Sequence, residues 1–522
     1  VAVILLLACA SPEPTMAPVA VLTRASLDLR GVRPSEAELE AVEADPAALD
    51  GILDGMVADE RFFARLVPLY QEIYLTWTEA MPLRPDNLGL EDPKFFYWQA
   101  GQEPLEILAE VAREDLPWTE VVEADWTMSN EDLAAFFPVE WPEGQTGWHK
   151  TRYTDGRPAA GVVSTNGLWW RYTTTDSNAN RRRANALSRI TVCQDILDRA
   201  IGFDSSVNLL DEAAIEDALH NNPSCENCHV SLDPIAANLF GFYWSNFTSP
   251  TQGMVYHPGQ ERAWEDMLGT PPGWYGTPTD GLVNLGATIA ADPRFATCAV
   301  EQAFELMLRR ETTVSDADDL VELRDTFLAN DMSIRSLFRA VVDLPVYRAA
   351  DLDSERGVPV KMATPDVLGT AMEDLTGYSW DREDHPVLLT DRLGVRGLGG
   401  GVDGMQVKRA ATEPGATVLL VQKALATEAA AWAVEQEQAM SADDRRLFTE
   451  IDFTETADDR AVRLQLAALH RRVLGETVDP DGAEVDADLE LWRGLAAIEP
   501  DVPSVWRDVL AAFLRDPDFL LY

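Results

Sequence analysis

Asn222-Pro223-Ser224-Cys225-Glu226-Asn227-Cys228-His229-Val230-Ser231-Leu232-Asp233-Pro234 is the most informative stretch of the chain. Two thiols three positions apart, followed at once by an imidazole, form the C-x-x-C-H pattern of c-type haem attachment. The spacing has a chemical reason. Cys225 and Cys228 can add across the two vinyl groups of one porphyrin edge, which brings His229 over the iron as its proximal axial ligand. Two other readings of the same residues stay open, a redox-active disulfide and half of a zinc site. The first needs a βαβ context and the second a further ligand pair, and the flanking sequence offers neither.

Immediately beyond the motif, Pro234 predicts a turn that would orient the imidazole. Leu239, Phe240, Phe242, Tyr243, Trp244 and Phe247 then form an aromatic run that suits a porphyrin face and suits an ordinary core nearly as well. For the sixth iron position the downstream candidates are the Met254 thioether and the His257 imidazole. A filled sixth position makes an electron carrier; an open one makes a haem enzyme of the peroxidase or oxidase kind. No catalytic residue is assigned. Arg181-Arg182-Arg183 could clasp haem propionates, although an exposed helix start after Ser177-Asn178-Ala179-Asn180 is the simpler reading.

The remaining cysteines concern compartment. Val1-Ala2-Val3-Ile4-Leu5-Leu6-Leu7-Ala8-Cys9 is too short for the roughly 20 residues that span a bilayer and reads as the tail of an export signal. Leu6-Leu7-Ala8-Cys9 is similar to a bacterial lipobox, so the expectation is a lipid on Cys9, a polar tether to about residue 19, and a periplasmic, outer-membrane or cell-surface protein. Cys193 and Cys298 are left over, and in an oxidising compartment they are either a disulfide or two buried thiols. The apolar stretch from Ala416 to Val434 is interrupted by Lys423 and Glu428.

Charge excludes one large class of partner. Lys+Arg 42 against Asp+Glu 88 gives a net charge of −46, which repels a phosphate backbone, so nucleic acid is not expected to bind. Helical periodicity dominates, and the fold class is mainly α. One pattern recurs three times: a helix end, a small turn, an acidic helix start, then an amphipathic helix closing on Asp and, shortly after, an aromatic. It runs from Arg24 to Phe62, from Ala303 to Tyr347 and from Leu469 to Phe519. Copies this far apart are duplicated helical modules rather than a short-period solenoid. Composition divides the chain into a leader and tether at 1–19, an N-terminal helical module at 20–160, a haem module with a following helical module at 161–350, and a C-terminal helical module, a partial repeat, at 362–522. Long irregular loops at 138–160 and 250–281 and a linker at 348–365 separate them. Gly399 to Gly404 matches G-x-G-x-x-G, but no strand precedes it, so it reads as a loop.

With the motif, its flanks and the repeat in hand, the chain resembles a group of domains of unknown function that occur together in exported planctomycete-type and myxobacterial c cytochromes. The resemblance rests on Trp118 to Val122, Ala124 to Ala134, Gly161 to Ser164, the haem segment Asn222 to Pro234, and residues 276–310. It departs after Pro234, where Ala236-Ala237-Asn238 precedes Phe240-Gly241-Phe242. The resemblance implies a helical cytochrome c-like fold with covalent haem c, but no settled reaction. The leading expectation is an exported, lipid-anchored, mono-haem c-type cytochrome that passes single electrons to a redox partner protein at the envelope. The alternatives are the haem enzyme and a non-catalytic envelope adaptor that binds protein or glycan.

Overall fold

The computed structural model describes residues 15–78, 93–199, 207–208, 210–243, 253–350, 360–382, 385–390, 394–456 and 460–522. Cys9, Trp244 and Phe247 lie outside the described residues. The fold is mainly α: helices follow one another along the chain, and the strands make only three two-stranded pairings among the described residues.

The helices assemble around two apolar clusters. One runs from Val21 to Tyr347, and the other gathers residues 362–520. Helix Pro18–Arg30 serves both, because Val21, Leu22, Ala25 and Leu29 face the first cluster while Leu27 faces the second. It begins with Pro at its first turn, where the missing N–H costs nothing, and ends on Gly31 at φ 71°, a left-handed cap that glycine adopts without strain. Helix Pro93–Arg113 is the spine of the first cluster, burying Leu105, Ile107, Leu108 and Val111. The short helix Asn166–Arg171 crosses it so closely that a Cβ on Gly167 would sit 1.8 Å from the Ala100 carbonyl. In the second cluster, helix Ala416–Glu437 is long and apolar enough to cross a membrane by length and composition. Its small-residue seam, Ala426, Ala429, Ala430 and Ala433, is buried, as in a core helix, and the helix packs against Val502–Phe513 and Pro365–Thr376.

The recurring sequence pattern is a recurring structure. In each copy a helix closes on a left-handed residue, Gly31, Arg309 or Gly475, and two further helices follow. The closing aromatics Phe62, Tyr347 and Phe519 are all buried. A basic side chain at the end of the first helix reaches acidic groups beyond the turn. Arg30 forks onto Glu38 at 2.9 and 3.1 Å, Arg310 onto Asp316 at 2.8 and 2.7 Å, and His470 lies 3.1 Å from Glu476 and 2.7 Å from Asp488. In the first two copies this puts a guanidinium at one helix C-terminus and a carboxylate at the next N-terminus, which complements both helix dipoles.

The first and third copies dock on each other across the two clusters. Arg33 donates to the carbonyls of Leu474 and Asp518, each at 2.9 Å, and Met362 pairs with Leu521 as an antiparallel bridge. Residues 361–363 of the expected linker are therefore held by backbone hydrogen bonds to 520–522. Beneath them Asp28 accepts from Tyr347 at 2.5 Å, from Tyr522 at 2.9 Å and from Lys361. Burial brings the Lys361 ammonium down to about 8 despite that carboxylate. Asp28→Ala leaves Lys361, wholly inaccessible, without its counter-charge. The expected loss is about 3–5 kcal/mol, read as a lower denaturant midpoint, whereas an unchanged midpoint would remove Asp28 as the tie between the two clusters.

Candidate functional site

The C-x-x-C-H residues occupy the first two turns of helix Pro223–Ala237. The helix starts there for local reasons: the Asn222 side chain accepts from the Ser224 N–H at 3.0 Å, and Pro223 stands in the first turn. Helical spacing puts Cys225 beside both Cys228 and His229. Both thiols are unbridged; Cys225 is half-buried, and Cys228 is buried with its Sγ 3.6 Å from the Ile196 carbonyl.

One turn further on, Asp233 faces back to the motif. Its Oδ1 lies 3.1 Å from His229 Nδ1, and Arg181 clamps the same carboxylate through Nε at 2.6 Å and a terminal nitrogen at 3.2 Å. Burial alone would raise the Asp233 carboxyl, but the hydrogen bonds from His229 and Arg181 outweigh it and hold the group below the ordinary carboxylate range. An ionised carboxylate only accepts, so Nδ1 carries the hydrogen of that bond and Nε2 of a neutral ring keeps its lone pair for another partner. Metal-binding histidines are commonly oriented in this way. Two thiols and an imidazole with one nitrogen already committed form a donor set that fits covalent haem c. Among the described residues no group of three or more His, Cys, Asp or Glu is placed to hold a bare metal ion, so the zinc reading has no ligand set there.

Two expectations from the sequence are corrected here. Pro234 does not make a turn, because the helix continues through it to Ala237. Asn238 holds the following exit, donating to the Pro234 carbonyl at 3.0 Å and to Gly273 at 3.2 Å, which seats the Gly273–Trp274 strand on the helix end. Reading Pro234 as a helix breaker is what concealed Asp233, whose spacing from His229 is the i, i+4 spacing of a helix. The arginine triplet does begin a helix, Arg181–Val192, but only Arg182 is exposed. Arg183 is wholly buried. It donates to the carbonyls of Tyr172 and Phe242, each at 2.8 Å, and to Trp169 at 3.3 Å, and burial lowers its guanidinium to about 9.

The aromatic run packs against protein. Phe240 stacks on Tyr243 at 5.2 Å, and Phe242 lies 6.0 Å from Trp169 and 5.0 Å, edge to face, from Tyr256. Met254 is buried, its carbonyl accepting from Asn166 at 2.9 Å. His257 is half-buried and its N–H donates to the Gly241 carbonyl at 2.8 Å. These contacts tie Met254 to helix Asn166–Arg171 and His257 to the 240–242 turn. Cys193 and Cys298 form a disulfide with Cα atoms 5.3 Å apart, closing a separation of 105 residues between helices Arg181–Val192 and Pro293–Leu308. The helix that supplies Arg181 to Asp233 is thereby fastened at its far end.

Residues 275–345 match a family model described as a protein of unknown function (DUF1585). The matched segment follows the Gly273–Trp274 strand and contains most of the second copy of the helical repeat. No curated protein and no solved structure matches the chain.

Arg183 and Arg182 are adjacent in sequence and opposite in environment, which gives a direct check. Arg183→Met strips the donor from buried carbonyls of Tyr172 and Phe242 and is expected to cost about 2–5 kcal/mol, whereas Arg182→Ala changes stability by less than about 0.5 kcal/mol. Equal melting temperatures for the two variants would contradict the burial of Arg183.

Proposed function

We propose that the chain is an exported, lipid-anchored, mono-haem c-type cytochrome that passes single electrons to a protein partner at the cell envelope. One observation carries the reading: Cys225, Cys228 and His229 lie together at the start of one helix, with His229 Nδ1 committed to Asp233 and Nε2 left for an iron. Haem bound there supplies a one-electron iron couple.

The protein's part is to fix the ligand and set its surroundings. Asp233 holds the His229 ring in one orientation and makes it a stronger donor through its negative charge. Arg181 keeps that carboxylate ionised in a buried position, and the disulfide anchors the helix that carries Arg181. The net charge of −46 favours encounter with a positively charged partner face, where electrostatics raises the on-rate more than the affinity. The DUF1585 match is compatible with a cytochrome-associated role. Export and the lipid on Cys9 rest on the Leu6-Leu7-Ala8-Cys9 reading, which lies outside the described residues.

The test is periplasmic expression with the haem-attachment machinery, followed by haem-stained denaturing electrophoresis and an alkaline pyridine spectrum. The wild type is expected to stain, and Cys225→Ser with Cys228→Ser to lose the stain. Asp233→Asn should keep the haem yet raise its reduction potential, because a neutral amide leaves His229 a weaker donor. A wild-type chain that folds without staining overturns the proposal.

A further inference from the structure

The third copy of the repeat differs from the other two in the chemistry of the basic group at its turn. Arg30 and Arg310 are guanidinium groups that stay charged at any physiological pH, whereas the third copy uses an imidazole, His470. Helix Arg460–Leu469 runs on into a π-helical turn, His470–Leu474, that closes on Gly475 at φ 77°. His470 is buried there, edge to face with Phe513 at 5.1 Å. Its Nδ1 lies 3.1 Å from Glu476, just beyond the turn, and its Nε2 lies 2.7 Å from Asp488 of helix Ala483–Ala496.

An ionised carboxylate only accepts, so this arrangement uses a hydrogen on each ring nitrogen and is built for the imidazolium. The hydrogen bond to Asp488, and after it the one to Glu476, holds the ring above its ordinary pKa in spite of burial. The other charges packed around the turn have their own places. Arg460 pairs with Asp481, Arg463 with Asp486 at 2.5 Å, and Arg471 with Glu36 and, at 2.8 Å, with Glu43. Arg472 lines a surface groove with Ser35 and Arg445, and Asp516 caps the Asp518 N–H at 2.9 Å. The turn that His470 holds is also the seat of Arg33. Its guanidinium donates to the carbonyls of Leu474 and Asp518, and a Cβ on Gly475 would stand 3.2 Å from it. Burial lowers the Arg33 pKa to about 10, and the charges of Glu476 and Asp518 oppose that shift. Glu476 therefore faces a cation on each side of the junction, His470 in the third copy and Arg33 in the first.

We propose that His470 is a proton-operated latch on the docking of the first repeat against the third. Protonated, it holds Glu476 and Asp488 together over the turn and keeps the Leu474 carbonyl presented to Arg33. Neutral, it has one N–H for two carboxylates, and the junction loosens. Linkage fixes the sign. A folded-state pKa above the ordinary 6.5 gives stability that is full below that value and is lost as pH rises through the His470 value. Lys361, at the same junction, works in the opposite sense: its ammonium is brought down to about 8, so the unfolded chain holds the proton more tightly and this group adds stability as pH rises. Glu106, raised to about 7 by burial, shares the sense of His470 but lies on helix Pro93–Arg113, and its contribution persists when residue 470 is changed.

Hydrogen exchange followed by mass spectrometry on the full chain, at about pH 6 and about pH 9 and corrected for the intrinsic pH dependence of amide exchange, tests this. Two peptides report: one covering 470–478, and one ending at Tyr522, whose N–H reaches the Lys361 carbonyl at 2.8 Å across the junction. In the wild type both are expected to lose protection together at the higher pH, by about tenfold, the effect of one charge-assisted hydrogen bond discounted for the exposure of Glu476. His470→Gln should show the alkaline level of protection at both pH values. Asp488→Asn should move the midpoint of the loss down toward the ordinary 6.5, and it carries the comparison if His470→Gln does not fold. Wild-type protection that does not fall, a fall as large in folded His470→Gln, a midpoint unmoved by Asp488→Asn, or loosening at 470–478 alone overturns the proposal. Haem attachment enters none of these measurements.

Discussion

Burying a carboxylate is costly unless hydrogen-bond donors go with it, and this strongly acidic chain builds both its architecture and its candidate site on that constraint. Asp28 is enclosed with Lys361, Tyr347 and Tyr522 where the two apolar clusters meet. Asp233 is enclosed with Arg181 and His229 behind the thiols. Hydrogen bonds from Arg310 bring the Asp316 carboxyl down to about 2 at the turn of the second repeat. Glu103 takes hydrogen bonds from Tyr153 at 2.5 Å, Thr127 at 2.9 Å and the Gly167 N–H at 3.0 Å, yet burial still keeps its carboxyl above the ordinary range. The first two centres have different consequences: one orders helices relative to each other, the other orders a single imidazole.

The repeat supplies the scaffold around them. A helix, a left-handed cap, a basic side chain reaching across the turn and two more helices make a unit that needs neighbours to bury its apolar side. The first and third units meet through Arg33, with Asp28 and Lys361 beneath them, while the helix that opens the second holds Cys298 of the disulfide and the DUF1585 match covers most of that unit. The motif helix is reached from this scaffold through Arg181, whose own helix the disulfide ties to Pro293–Leu308.

Much of this was legible in the residues. Helical periodicity gave the mainly α class, and the spacing of Asp, Pro and aromatic residues exposed the repeat before any contact was visible. Chemistry alone singled out Cys225, Cys228 and His229. What stayed hidden depended on context that a linear reading does not carry. Pro234 looked like a stop because proline usually ends helices, so the i, i+4 relation of His229 and Asp233 was missed. The arginine triplet looked exposed because its charge density matches a surface, whereas carbonyls from two separate segments, 169–172 and 240–242, converge on Arg183.

Intact mass spectrometry of the exported protein, followed by mapping of the peptide that contains residues 225–229, addresses the central claim most directly. The account requires one added haem per chain, carried by two thioether bonds on that peptide. A bare peptide with two free thiols, or one bridged internally, would contradict it.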